Sequence, residues 1–514
     1  MSTLQGARSV LTAKYAQYNV RPNSLRCIAH FDRAPTVRER AGCSPAGAEA
    51  LTCAKSFVKI PCLNLLIKIS PIRTFVACLS GLMVVACTTH AANPIVVGAG
   101  LCDPKIRIYD NHAFLYATHD AVPGSNRFIM RDWWVWSSDD LVNWKLVSVL
   151  KPEQTYYKKP CDSCWATDAI EHNGKYYFYF SRGSRELGVV MGDSPAGPWR
   201  DPIGKPLVAE GSTPTAARDP AILQKPDGTT YIIFGCWDYY IARLNDDMVS
   251  LAEKPRKLEV SPKMGPYGPG KLDDKPFLFE YEGKYYLSWG CYYAMSDDLY
   301  GPYKYVDTII HKDRVEPIFQ KGLTQDRHGS FFELYNQWYF ICNDQSWPGT
   351  CAHYRDSVIS YIHFRDNGEI DPIYINRIGV GEYDARNVIQ AEDYFRGEGV
   401  RQKESPDGGF EVRNIQNCTV LVYPNVTNVP ANASMSFRLA NGNAESATIE
   451  IHSGSAEGPL LGLCHVPGAG NWKNYRTLSC PLKNPSGTLA LCLVFQGAGD
   501  DLLHLNWFKF EGSK

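Results

Sequence analysis

The chain has 514 residues, with 53 Lys and Arg against 54 Asp and Glu and a formal net charge of −1. That length admits more than one domain, and near-neutrality removes the electrostatic ground for nucleic acid or an anionic membrane surface as partner. Aromatic side chains make up 12% of the chain, with 30 Tyr and 12 Trp; rings at that density serve a β-rich core or faces that stack on sugars.

Residues 1–91 read as a leader. Lys68 and Arg73 precede the apolar run from Thr74 to Ala86, a basic region and a stretch of signal-peptide length, too short to span a bilayer. Two exits are open: Val84-Val85-Ala86-Cys87 resembles a lipobox with Cys87 as lipid anchor, and Thr89-His90-Ala91 offers small-residue cleavage. The signal, about 58–91, begins so deep that a start codon placed too early is expected. The mature protein is expected to be exported from a bacterium, as a periplasmic, outer-membrane or cell-surface lipoprotein or as a secreted protein. Six of the 17 cysteines (27, 43, 53, 62, 78 and 87) fall in the leader, which leaves 11. Among those, Cys161 and Cys164 form a Cys-x-x-Cys pair. Zinc would require a second pair at matching spacing, so a structural disulfide or two buried small residues is expected.

From residue 94 a strand motif recurs five times. Its copies begin at Asn111, Asn173, Asp227, Glu282 and Asn336, spaced 62, 54, 55 and 54 residues apart. Each reads as a strand, a polar turn and a second strand rich in Tyr, Phe and Ile. Repeats of this length built from short strands are the mark of propeller blades, so a five-bladed β-propeller is expected over 94–385. Eight positions before each copy stand Asp103, Trp165, Asp219, Asp274 and His328. Equivalent positions on inner strands converge on the central channel, which gathers these residues into one pocket.

These residues stand in Cys102-Asp103-Pro104, Trp165-Ala166-Thr167-Asp168, Arg218-Asp219-Pro220, Asp274-Lys275-Pro276 and His328-Gly329-Ser330. Five such marks in order, at one offset within a repeat, resemble glycoside hydrolase family 43. The resemblance implies an inverting glycosidase in which Asp103 is the general base, Asp219 orients the acid and raises its pKa, and Asp274 stands at the general-acid position. That acid is ordinarily Glu, and Asp reaches about 1.5 Å less. Either the substrate or backbone sits closer, a neighbour such as Asp273 or Glu280 acts instead, or hydrolysis is weak or lost. Glu280 lies six residues along an extended strand and is a poor substitute. The family also implies a channel calcium held, directly or through water, by His328, against a histidine satisfied by hydrogen bonds at the axis. Arg355 matches the family's late arginine facing sugar and acids; a surface ion pair is the other reading. Substrate contacts are expected from Trp165, by position, and from Asp168, and more loosely from Trp237, Phe277 and Trp289.

After residue 386 the repeat stops, and short alternating strands with Gly, Asn and Pro turns predict a β-sandwich of jelly-roll type over 388–512. This stretch resembles a family 6 carbohydrate-binding module. Glu392 matches a residue of that family's structural calcium site and Trp472 its sugar-stacking aromatic. His504 replaces the usual sugar-binding Asn and Asn506 a usual calcium-binding Asp, so the module either binds glycan or only braces the propeller. The whole chain is read as an exported, exo-acting inverting glycosidase that releases a terminal arabinofuranosyl, xylosyl or galactosyl residue from a plant or algal glycan. The alternative is a glycan-binding propeller without turnover, because of Asp274.

Overall fold

The computed structural model describes residues 93–485 and 487–512; the leader, its signal and Cys87 lie outside the described residues. Five sheets, antiparallel except for one short edge pair, follow in chain order. The first holds β1 (Leu101–Tyr109), β2 (His112–Asp120), β3 (Met130–Ser138) and β4 (Lys145–Leu150); the second β5 (Cys164–His172), β6 (Lys175–Arg182) and β7 (Glu186–Gly192). The third holds β8 (Ala221–Gln224), β9 (Thr230–Cys236), β10 (Asp238–Arg243) and β11 (Arg256–Leu258). In the fourth, β12 (Val260–Ser261) pairs parallel with the outer β16 (Tyr303–Thr308) beyond β13 (Pro276–Tyr281), β14 (Lys284–Trp289) and β15 (Tyr292–Ser296). The fifth holds β17 (Gly329–Leu334), β18 (Gln337–Asp344) and β19 (Asp356–Ile362).

The inner strands β1, β5, β8, β13 and β17 line the axis of a five-bladed propeller, and side chains join each blade to the next. Arg107 pairs with Asp168 (2.5 Å), and Asp168 accepts from the Ile222 amide (2.7 Å). Asp219 accepts from the Lys275 amide (3.0 Å), and Phe277 meets Phe331 at 6.0 Å between ring centres. The Ser330 hydroxyl receives the Ile106 amide (3.1 Å), which closes blade five on blade one. The segment before β1 lies along β19: Ile95 N–H donates to Ser357 O (2.9 Å), Asn93 Nδ2 to Ile359 O (2.9 Å) and Gly98 N–H to Asp356 (2.8 Å).

The hairpins correct the repeat register. Four blades turn on two residues with positive φ: Asp110-Asn111, Asn173-Gly174, Glu282-Gly283 and Tyr335-Asn336, the geometry that matches strand twist. Asn111 and Asn336 are the second residues of their turns, whereas Asn173 and Glu282 are the first. A constant step of eight therefore reaches one channel layer at Asp103, Asp219 and His328 but falls one residue short in blades two and four. Ala166 and Lys275 occupy the layer there. Asp103, Asp219 and Lys275 share a left-handed backbone, φ 51°, 57° and 63°, immediately before Pro104, Pro220 and Pro276.

The sandwich pairs two sheets. One holds β20 (Glu382–Asp384), β22 (Arg396–Gly397), β25 (Val420–Val429), β27 (Ala447–Ser453), β28 (Leu460–Val466) and β30 (Gly487–Gln496). The other holds β21 (Ile389–Gln390), β23 (Arg401–Glu404), β24 (Phe410–Arg413), β26 (Ser434–Ala440), β29 (Arg476–Pro481) and β31 (His504–Glu511). Because β20 already belongs to it, the sandwich starts before residue 388. Tyr394 Oη donates to Asn336 O (2.9 Å), fastening it to blade five.

Candidate active site

A cavity of about 410 Å³ opens at the end of the axis where the inner strands begin, and Asp103, Asp219 and Asp274 all line it. Asp103 Oδ1 accepts from Asn343 Nδ2 (2.8 Å) and Arg355 Nη1 (3.0 Å), with His328 Nδ1 at 3.2 Å. Burial would raise this carboxyl, but Arg355, His328 and Asn343 outweigh it and hold Asp103 well below the usual range. These partners favour its ionised, hydrogen-bond-accepting form.

Across the cavity the other two carboxyls differ sharply. Asp219 is 5% exposed; burial and the charge of Asp274 push it up to about 7, against Arg218. Asp274 is held down despite its own burial, because Lys275 Nζ touches its Oδ1 and Arg218 Nη2 lies 2.8 Å from its Oδ2. Lys275 also donates to Asp273 (2.7 Å), which burial raises to about 6. Neighbouring carboxyls that interact this closely titrate as a set, and burial together with the charge of Asp274 raises the proton affinity on the Asp219 side of it.

Arg355 is 3% exposed and is no surface ion pair. It donates to Asp120 (2.9 Å), Asp103 (3.0 Å) and Asp326 (3.1 Å), and its guanidinium lies 4.9 Å from the Phe128 ring. Trp165 lines the cavity with Arg218 5.7 Å over its ring and Phe128 6.2 Å away. Trp237, 44% exposed, lies outside the cavity lining but 5.3 Å from Tyr267, which is in it. Phe128, Tyr267, Asp326 and His353 were invisible to the repeat because they come from loops between strands. The run Ser261-Pro262 to Pro269-Gly270, rich in Pro and Gly around Tyr267, was the available signal.

Two expected substrate contacts are corrected. Asp168 is fully buried and committed to Arg107 and the Ile222 amide. Phe277 is 2% exposed and packs on Phe331. Both face the axis, but two residues farther along their strands, about 7 Å deeper, where they plug the channel. Trp289, 1% exposed, is core; its Nε1 donates to Met264 O (2.8 Å) beneath the Tyr267 loop. Cys161 and Cys164 face each other as thiols, Sγ atoms 3.6 Å apart, with no disulfide between them.

The two expected calcium positions differ in fit. At the axis, His328 Nε2 is buried without a partner, and Lys105, whose Nζ donates to Gly329 O (2.7 Å), brings a positive charge that acts on the ring. Calcium takes six to eight oxygens, and among the described residues no group of three or more His, Cys, Asp or Glu is placed to hold a metal. The side chains at the axis therefore supply no direct ligand set for calcium, and the charge of Lys105 opposes a cation there. In the sandwich, Glu392 is 5% exposed with Oε2 unpartnered, on a polar cavity of about 740 Å³ beside blade five; such an oxygen suits a hard cation. Trp472 stacks on His504 (4.2 Å, 22°), and a Cβ on Gly442 would stand 2.2 Å from its ring. His504 in turn lies between Glu411 and Asp501, 3.1 Å from each. Much of the ring is thus covered by protein and withheld from a sugar.

Residues 91–370 match the model of glycosyl hydrolases family 43, and residues 390–512 that of carbohydrate binding module family 6. An arabinoxylan arabinofuranohydrolase of Paenibacillus polymyxa is 28% identical over 483 residues, 82% of this chain and 74% of that one. An enzyme of the same name from Bacillus subtilis is 25% identical over 496 residues, 84% of this chain and 96% of its own. A xylosidase/arabinosidase of Bacteroides ovatus is 28% identical over 302 residues, 49% of this chain and 87% of its own. With the propeller, its axial carboxylates and these matches in hand, the chain belongs to glycosyl hydrolase family 43, carries a C-terminal family 6 module, and is a glycosidase.

Proposed function

We propose that the protein is an exported, exo-acting inverting hydrolase that removes a terminal arabinofuranosyl or xylosyl unit from a xylan-type polysaccharide. Exo action is supported by depth: the cavity holding the three aspartates ends on the buried layer of Lys105, Asp168 and Phe277, so a sugar that enters along the axis goes no further. The pentose assignment is supported by the names of the similar enzymes. Asp103 acts as base on water, being ionised and fixed by Arg355 and Asn343. The Asp219 and Asp274 pair supplies the proton to the departing oxygen, Asp274 from the acid position and Asp219 as the group that holds the proton in the free enzyme. Glu392 is the residue that would hold a structural calcium in the module.

The kcat/KM profile is expected to fall above about pH 7, as the raised carboxyl of Asp219 loses the proton the reaction needs. Asp219→Asn should abolish that limb along with most of the activity; a limb that stays in place would remove Asp219 from the proton-donating pair. Tyr267, 63% exposed beside Trp237, suits the part of the polymer left outside. Tyr267→Ala should raise KM on polysaccharide about fivefold to tenfold, roughly 1 to 1.4 kcal/mol, and leave aryl glycosides within about twofold. Sugar release from arabinoxylan and from aryl arabinofuranosides, xylosides and galactosides tests the whole reading. Galactose alone would replace the pentose, and silence from folded protein would restore the binding-only alternative.

A further inference from the structure

Lys105 has no place in the proposed chemistry and no counterion. Its side chain is fully buried, and no carboxylate lies within ion-pair distance of it among the described residues. Its ammonium donates to Gly329 O (2.7 Å) and stands 4.8 Å from the centre of the Phe277 ring. The charges that act on it from farther away are those of Asp168, Asp219 and Asp103, one from each of the first three blades, opposed by that of Arg107. An isolated charge in an apolar interior is costly unless its surroundings compensate. Here the compensation is a ring of carboxylates at one remove, with a carbonyl and an aromatic face in contact.

The hairpin register places Lys105, Asp168, Ala221, Phe277 and Ser330 in one channel layer, directly under the layer of Asp103, Asp219 and His328. A divalent cation would find poor ligands there. The one carboxylate is engaged by Arg107, and beyond it stand a hydroxyl, a methyl, a phenyl ring and a positive charge. His328 Nδ1 faces the Asp103 carboxylate and donates to it, which leaves Nε2 a buried lone pair without a hydrogen-bond partner, and the charge of Lys105 acts on the same ring. Burial pushes Lys105 down only to about 8, so it is charged at neutral pH.

We infer that Lys105 is the axial cation of this propeller: an ammonium built into β1 stands where related channels would take a metal ion, and it positions His328 and Asp103 through the Gly329 carbonyl and through its charge. Lys105 is a positioning residue and touches no substrate. Its effect on turnover rests on Asp103 being the base; the absence of an axial metal does not.

The test separates the two. In Glu392→Gln protein, which lacks the module's calcium donor, bound calcium is counted after equilibrium dialysis and melting is followed in chelator and in millimolar calcium. No bound calcium and no shift in melting are expected. One calcium per chain that disappears when His328→Ala is added would overturn the inference, whether or not any Lys105 variant folds. In the second arm, Lys105→Met should lose at least tenfold in kcat, with the acidic limb of its pH profile displaced upward, and Lys105→Arg should recover part of both. Unchanged turnover and pH profile in folded Lys105→Met would equally overturn it. Inactivity of the unmodified enzyme on every glycoside would count against Asp103 as base and leave the calcium count to decide.

Discussion

Asp103→Asn is expected to lower kcat/KM by about 10³-fold or more on every substrate the enzyme accepts, while the protein melts within a few degrees of the parent. The amide keeps a carbonyl oxygen for Asn343 and Arg355, and Arg355 keeps Asp120 and Asp326; what disappears is the basic charge. Parallel assays on an aryl glycoside and on polysaccharide, with differential scanning calorimetry on the same samples, check both halves. A variant that retains a tenth of its activity would exclude Asp103 as the base. A variant that is inactive because it is unfolded would show as a lost transition.

Arg355→Met carries the largest expected effect on stability. One guanidinium answers three aspartates, two of them buried at 5% exposure or less. Removing one partner of a buried charge network costs about 3 to 5 kcal/mol, because the remaining charges lose their counterion. Asp103 would regain a more ordinary affinity for protons, so the acidic limb of the pH profile should rise together with the loss in stability. Denaturant titration with unchanged m-value, beside the pH profile, measures the two effects. A loss below about 1 kcal/mol would mean that solvent reaches this cluster far more freely than its burial indicates.

The blade count and the acidic positions of blades one and three were legible because a hairpin turn is a local signal: Asn-Gly and its relatives announce themselves in a few residues. What the spacing hid was a one-residue difference in which turn position carries the Asn. That slip put Asp274 and Trp165 at an address held by Lys275 and Ala166. The ion pair from Lys275 and Arg218 to Asp274 depends on side chains of the neighbouring blades three and four meeting at their junction, for which no periodicity exists. Asp168 and Phe277 misled for the opposite reason. They obey the two-residue alternation of an inner strand, but alternation says which way a side chain faces and nothing about depth. Phe128, Tyr267 and Asp326 come from loops whose course depends on the blades beneath them.

The segment at residues 93–98 lies along a strand more than 250 positions later; the bond from Asn93 to Ile359 spans 266 residues. Loop closure of that length is slow to find, and it cannot begin before the fifth blade has been synthesised. The ring therefore stays open through most of translation, its two ends waiting for each other. For the export proposed above, this ordering means that ring closure is the last step of propeller assembly, whatever the single blades do earlier.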